Sequence, residues 1–225
     1  MPLKPTCDAC LSPMDSWLGL CEECMAVHGP EILASRRDHI PEFMDTLLPP
    51  ATMAKYRETG MEPVKALDVG NLEGELGFVF HGLGRNSNPD VRAAGSLHTW
   101  LYRRAEGTRM GLREKSGTWV PPCHWGPVSG FLDRLREFQS STREEALASI
   151  THSQFTVLTG LGDEYATGWG ETALLDFLRE RIDGHYWTVL TTGSTPEALL
   201  RSYRTHGGAI VDLLTQRLRW VRGLK

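Results

Sequence analysis

Two groups of residues in this 225-residue chain have the types and spacing that chemistry requires. The first is Cys7-Asp8-Ala9-Cys10 with Cys21-Glu22-Glu23-Cys24, two C-x2-C pairs separated by ten residues. Each pair forms a tight knuckle presenting two thiolates, and two knuckles complete the tetrahedron that zinc prefers. Pro13, Gly19 and the short spacer suit a minimal ribbon with almost no core, a module that folds only with its metal. His28 lies just beyond, but four thiolates already saturate the ion. The second group is the loop from His81 to Asp90, with Gly82, Gly84, Arg85 and Asn88. It follows the apolar run Leu76 to Phe80 and precedes a basic amphipathic segment, Val91 to Arg104. Strand, glycine loop and helix in that order build a phosphate cradle. Its backbone amides hold phosphate, a lysine neutralises charge and a hydroxyl residue holds magnesium. With Gly82 as the first glycine of G-x-x-x-x-G-K-[ST], Asn88 takes the lysine's place and Pro89 the hydroxyl's. Proline has no amide hydrogen to offer a phosphate. Tight ATP binding with magnesium is therefore not expected, and the loop reads either as a plain strand–turn–helix connection or, at Gly82, Gly84 and Asn88, as the remnant of a nucleotide site.

Composition bounds the rest. With 40% hydrophobic and 23% charged residues the chain has the makeup of a globular protein. The net charge of −4 excludes a generally basic nucleic-acid coat and leaves room for local basic patches. No apolar run approaches the roughly 18–20 residues of a membrane span. Met1-Pro2-Leu3-Lys4-Pro5 lacks the apolar core of a secretory signal, so a cytoplasmic location is expected. In that setting four cysteines crowded into the first 24 residues point to metal rather than disulfides. Cys123, beside His124, reads as packing.

The elements that must position these groups follow from periodicity. After the ribbon (1–30), residues 31–60 read as a helical connector rich in prolines and charges, and 61–225 as an α/β domain. Glu62 to Val69 suits a helix, and Leu76 to Phe80 is a buried strand. In Val91 to Arg104 the apolar positions Val91, Ala94, Leu97 and Leu101 share a face, with Arg92, Arg103 and Arg104 toward solvated sides. Residues 105–130 read as an irregular connection with one short strand near Thr118-Trp119-Val120. Helical patterns follow at 130–138 and 142–150, and Phe155 to Thr159 is a second buried strand. Glu171 to Ile182 is a helix and Tyr186 to Thr192 a strand. Ser194-Thr195-Pro196-Glu197 caps a further helix, and Ala209 to Val221 reads as one last amphipathic helix. Strands alternating with helices imply a mostly parallel sheet with helices on both faces.

This order resembles one family. A cysteine ribbon, an Ile40-Pro41 segment, strand–glycine loop–helix and the strand leading to Gly162-Asp163-Glu164 run in sequence. The strand leading into Thr191-Thr192-Gly193-Ser194-Thr195-Pro196-Glu197-Ala198-Leu199 completes the series. The chain is similar to the DnaC/IstB-like helicase-loader AAA+ ATPases over roughly residues 36–225. The resemblance implies a P-loop NTPase-like fold and places the family's functional groups. Its magnesium-binding and water-orienting aspartates fall on Thr159 and Gly160. Its sensor asparagine falls on Gly193, and its trans-acting arginine falls within Ala209 to Leu214, where no arginine stands. Asp163 and Glu164 lie past the strand's end.

Four such departures touch phosphate, metal, sensing and the trans-acting charge. The expectation is a helicase-loader-like protein that does not hydrolyse ATP and acts by binding a replicative DNA helicase or another replication partner. Zinc would be its cofactor, through Cys7, Cys10, Cys21 and Cys24. Single-stranded DNA is a second ligand to consider, with Arg85, Arg92, Arg103 and Arg104 as candidate contacts. The competing expectations are an active loader with an unusual loop, and a zinc-dependent nucleic-acid-binding protein unrelated to helicase loading.

Overall fold

In the strand β1 (Gly77–His81), Phe78 and Phe80 join the core on one side of a sheet and Val79 the core on the other. That two-residue alternation, apolar on both faces, marks a strand sandwiched between layers of helices. The computed structural model describes residue 34 and residues 37–59, 76–82, 88–106, 123–137, 150–164 and 167–222. Within these, β1 pairs with β4 (Trp187–Thr192) and β5 (Arg219–Arg222), while β3 (Phe155–Thr159) pairs with β4 and with β2 (Cys123–Pro127). All four pairings are parallel, and the five strands run in the order β2-β3-β4-β1-β5. Phe80 lies opposite Thr191, His81 opposite Thr192 and Leu158 opposite Leu190, so the carboxyl ends of β1, β3 and β4 stand side by side.

Helix α3 (Pro89–Glu106) packs on the Phe78/Phe80 face through Ala93, Ala94, Leu97 and Leu101. Full burial of one such leucine is worth about 1.5–3 kcal/mol, enough to orient the helix. Residues 37–47 form helix α1, followed by α2 (Pro50–Glu58). Both lie in the stretch read as a connector, yet Ile40, Met44, Leu48, Met53 and Tyr56 belong to the same core as Phe78 and Leu97. This second layer changes the surroundings of α3. Every residue from Ala93 to Leu101 is buried, including Ser96, His98 and Thr99. The central part of α3 therefore has no solvated face, and α2 packs on it through the Tyr56–His98 pair. The opposite face of the sheet carries α4 (Val128–Glu137), α5 (Gly168–Asp183), α6 (Pro196–Ser202) and α7 (Gly207–Arg217).

Two elements differ from the sequence expectation. The stretch 105–130 contains β2, five residues beginning at Cys123, whereas the strand expected near Thr118 lies outside the described residues. Cys123-His124-Trp125-Gly126-Pro127 lacks strand character in composition. It is held as the outermost strand, where a proline is tolerated and the buried Trp125 anchors it. The last amphipathic segment is not a single helix. It ends at Arg217, and after an extended Leu218 the chain becomes β5. Trp220 and Val221 pair there with Val79 and Phe80, a tertiary reward that a helical continuation could not match. The helix expected at 62–69 lies outside the described residues, as does that expected at 142–150 except for Ile150, which is helical.

Candidate functional site

The carboxyl ends of parallel strands are where α/β folds bind ligands, and here the ends of β1, β3 and β4 meet the start of α3. Asn88 begins that helix: its side-chain oxygen accepts the amide of Asp90 at 2.9 Å, and its carbonyl accepts the amide of Arg92 at 3.4 Å. It is an N-cap, followed by a proline in the first turn and then an acid. Asn88 thus serves the backbone of its own helix. Gly82 sits at the end of β1, and Gly84 and Arg85 lie outside the described residues.

Asp90 reaches across to β4. Its Oδ1 accepts the Thr191 hydroxyl at 2.6 Å, and Thr191 Oγ1 in turn accepts the amide of Gly160 at 3.2 Å. Next along, the amide of Leu161 donates to the Thr191 carbonyl at 2.8 Å, and Thr192 Oγ1 donates to the Leu161 carbonyl at 2.6 Å. The amide of Ser194 donates to Thr192 Oγ1 at 3.0 Å. Both threonines are buried, and their bonds close the gap between the ends of β3 and β4.

The turn after β3 is built on two glycines. Gly160 has φ +72° and Gly162 φ +89°, backbone that favours glycine. A Cβ on Gly162 would also lie 2.5 Å from Leu199 Cδ2. An aspartate at 160 would carry left-handed strain, so this position favours glycine. Glu164, just beyond, is engaged through both oxygens. Oε2 accepts the amide of Gly162 at 2.7 Å and Oε1 accepts the Tyr203 hydroxyl. Burial, then the neighbouring Glu164 charge, raise the Tyr203 phenol far above its ordinary range, so it remains a donor. Gly193 follows directly after β4.

The candidate nucleic-acid contacts divide. Arg92 is half-buried, its guanidinium 5.3 Å from the Phe80 ring and its Nη1 donating to the Arg222 carbonyl at 2.7 Å. It ties α3 to β5. The backbone of Arg103 and Arg104 lies in the last turns of α3, their side chains are outside the described residues, and the two arginines are 11 and 12 positions beyond Arg92. An exposed aromatic lies elsewhere, at a position that periodicity did not single out. Trp169, at the start of α5, is 41% exposed, with the Arg136 guanidinium 5.3 Å from its ring. Arg136 also approaches Thr167 Oγ1 at 3.5 Å and Asp133 at 3.4 Å. Beneath Trp169 the carboxylate of Glu171 is 1% exposed and accepts the successive amides of Arg204, Thr205 and His206 at 2.9, 2.8 and 2.6 Å. Burial pushes its pKa up, but these three amides outweigh that and hold it below the usual range. Glu171 therefore fixes the turn between α6 and α7 against the helix that presents Trp169.

The four ribbon cysteines lie outside the described residues. Among the described residues no group of three or more His, Cys, Asp and Glu side chains is placed to hold a metal, and no helix is long and apolar enough to cross a membrane. Cys123 is a half-buried thiol that burial pushes up to about 12, which leaves it protonated and inert.

No protein-family model and no curated protein sequence matches this chain. Among solved structures, the chain resembles DnaI with a TM-score of 0.50 and 15% sequence identity, over 77% of this chain and 84% of that one. A structure of the DnaC helicase loader aligns with a TM-score of 0.47 and 16% identity, over 80% and 96% of the two chains. The likeness to DnaI is one of fold, and it accords with the parallel five-stranded sheet carrying helices on both faces.

Proposed function

We propose that this chain is a helicase-loader-like protein that does not hydrolyse ATP and acts by binding a replicative DNA helicase or another replication partner. One observation carries the reading. Where the strand ends of such a fold would hold lysine, magnesium and an activating carboxylate, this chain has an N-cap, a threonine, a left-handed glycine and the hydrogen bonds that join them. Phosphoryl transfer is almost entirely positioning and charge neutralisation, so a site without those groups has no means of catalysis. The family resemblance of the sequence and the DnaI-like fold support the loader assignment. Cys7, Cys10, Cys21 and Cys24 would hold one zinc ion and make the ribbon a docking module.

The test is a titration of purified protein with fluorescent ATP, with and without magnesium, beside a gel-filtration assay with a replicative helicase. No saturable nucleotide binding, together with co-elution with the helicase, is the expected result. Turnover that stops in a Glu164→Gln variant would instead establish an active ATPase. Elemental analysis should find about one zinc per chain, lost in a Cys21→Ser/Cys24→Ser variant.

Single-stranded DNA is the second ligand proposed. Trp169 beside Arg136 favours it, since an exposed indole with an arginine over its ring is a stacking platform for bases.

A further inference from the structure

The groups at the start of α3 do more than lack a lysine. A helix N-terminus carries a partial positive charge and free amides, which is why phosphate binds there. In this chain Pro89 has no amide hydrogen, the Asp90 amide is taken by Asn88, and the Asp90 carboxylate brings a negative charge into that first turn. The same carboxylate accepts the hydroxyl of Thr191 on β4, and Thr191 accepts the amide of Gly160 after β3. Three elements, α3, β4 and the turn after β3, are thus bridged by groups of the chain itself.

We propose that Asp90 is a built-in substitute for the nucleotide phosphate, an internal strut from α3 through Thr191 to the β3 turn that holds the domain in one arrangement whether or not nucleotide is present. The idea rests on the reading of Gly82 to Pro89 as a remnant cradle. The strut accounts for how such a fold dispenses with nucleotide, because the charge that would complete the helix terminus is covalently supplied. It also makes the site autoinhibited. A phosphate approaching α3 would meet a carboxylate already hydrogen-bonded there.

The experiment compares the thermal melting of full-length wild type with that of Asp90→Ala. It is run in 10 mM pyrophosphate and in sodium chloride of equal ionic strength. Loss of a charged hydrogen bond and of the favourable helix-terminus charge should lower Tm of the variant by about 3–6 °C in chloride. Pyrophosphate should restore about 2–4 °C of that in the variant and leave the wild type unmoved, the signature of an anion taking the vacated place. If Asp90→Ala does not fold, Asp90→Asn, which keeps an acceptor for Thr191 but not the charge, supplies the comparison, with a smaller fall and the same pyrophosphate response. Thr191→Val should fall in Tm without gaining that response, since the carboxylate remains. A variant as stable as wild type, or equal stabilisation of both proteins by pyrophosphate, would overturn the proposal. Helicase binding plays no part in this readout, so failure of the strut and failure of the loader assignment are separately visible.

Discussion

The Tyr56 hydroxyl lies 2.7 Å from His98 Nδ1, a buried hydrogen bond between residues 42 positions apart that joins α2 to α3. The rings also meet edge to face, with centroids 6.0 Å apart. Burial raises the Tyr56 phenol well above its ordinary range, so it stays a neutral donor throughout physiological pH. The pair gives a histidine on a buried helix a hydrogen-bond partner from α2.

Tyr56→Phe removes that donor and leaves the ring in place. The expected cost is about 1–2 kcal/mol, read as a lower midpoint in urea with an unchanged slope. A chain starting at residue 37 should melt cooperatively, whereas one starting at residue 61 should not, because it uncovers α3 from Ala93 to Leu101. Equal stability of the two truncations would show that α1 and α2 are dispensable.

Arg181 offers a second stability test. It is fully buried on α5, with Nε donating to Thr188 Oγ1 at 2.9 Å and Nη1 to the carbonyls of Ile150, Thr151 and Ser153 at 3.0, 2.7 and 3.0 Å. These bonds gather the chain entering β3 and the start of β4. Arg181→Met orphans several buried carbonyls and should cost about 3–5 kcal/mol. Arg181→Lys should recover only part of that, since an ammonium lacks the planar fork. Full rescue by lysine in a denaturation curve would mean that charge alone suffices.

Stability should fall on acidification through His124. Burial first, then the charges of Arg134 and Arg181, pull its pKa down to about 4 from the ordinary histidine value of 6.5. The unfolded chain therefore takes up a proton near pH 6.5 that the folded protein refuses until about pH 4. Stability should be full above pH 6.5 and decline between there and about 4, by on the order of 1–3 kcal/mol. His124→Gln should flatten that part of a Tm-against-pH profile. An unchanged slope would assign the decline to other groups.

For single-stranded DNA, Trp169→Ala should weaken binding about 5- to 100-fold, the range of one base–aromatic stack. Arg92→Ala should leave the affinity close to wild type, because Arg92 is spent on Phe80 and the Arg222 carbonyl. Fluorescence anisotropy with a labelled oligonucleotide, repeated at several salt concentrations, measures both. The reverse order of effects would return the contact to α3.

Local chemistry wrote much of this fold into the sequence. Phe78-Val79-Phe80 and Val189-Leu190 are apolar at every position, which only a strand covered on both sides requires, and Thr195-Pro196 caps a helix wherever it is placed. That Asn88 and Pro89 stand where a phosphate cradle would have lysine and a hydroxyl residue was legible in the sequence, whereas their service as N-cap and first-turn proline is shown by the structure. What Asp90 touches was not legible either. Its partner Thr191 is 101 residues away, and only the parallel pairing of β1 with β4 brings the two together. The same holds for β5, whose Trp220 and Val221 become strand because Val79 and Phe80 offer them an edge. It holds for α3, whose polar side is buried because α2 supplies Tyr56. Side-chain type and spacing determine which groups this protein possesses. Which of them meet depends on pairings distant in sequence, whose free energy exists only once the sheet has formed.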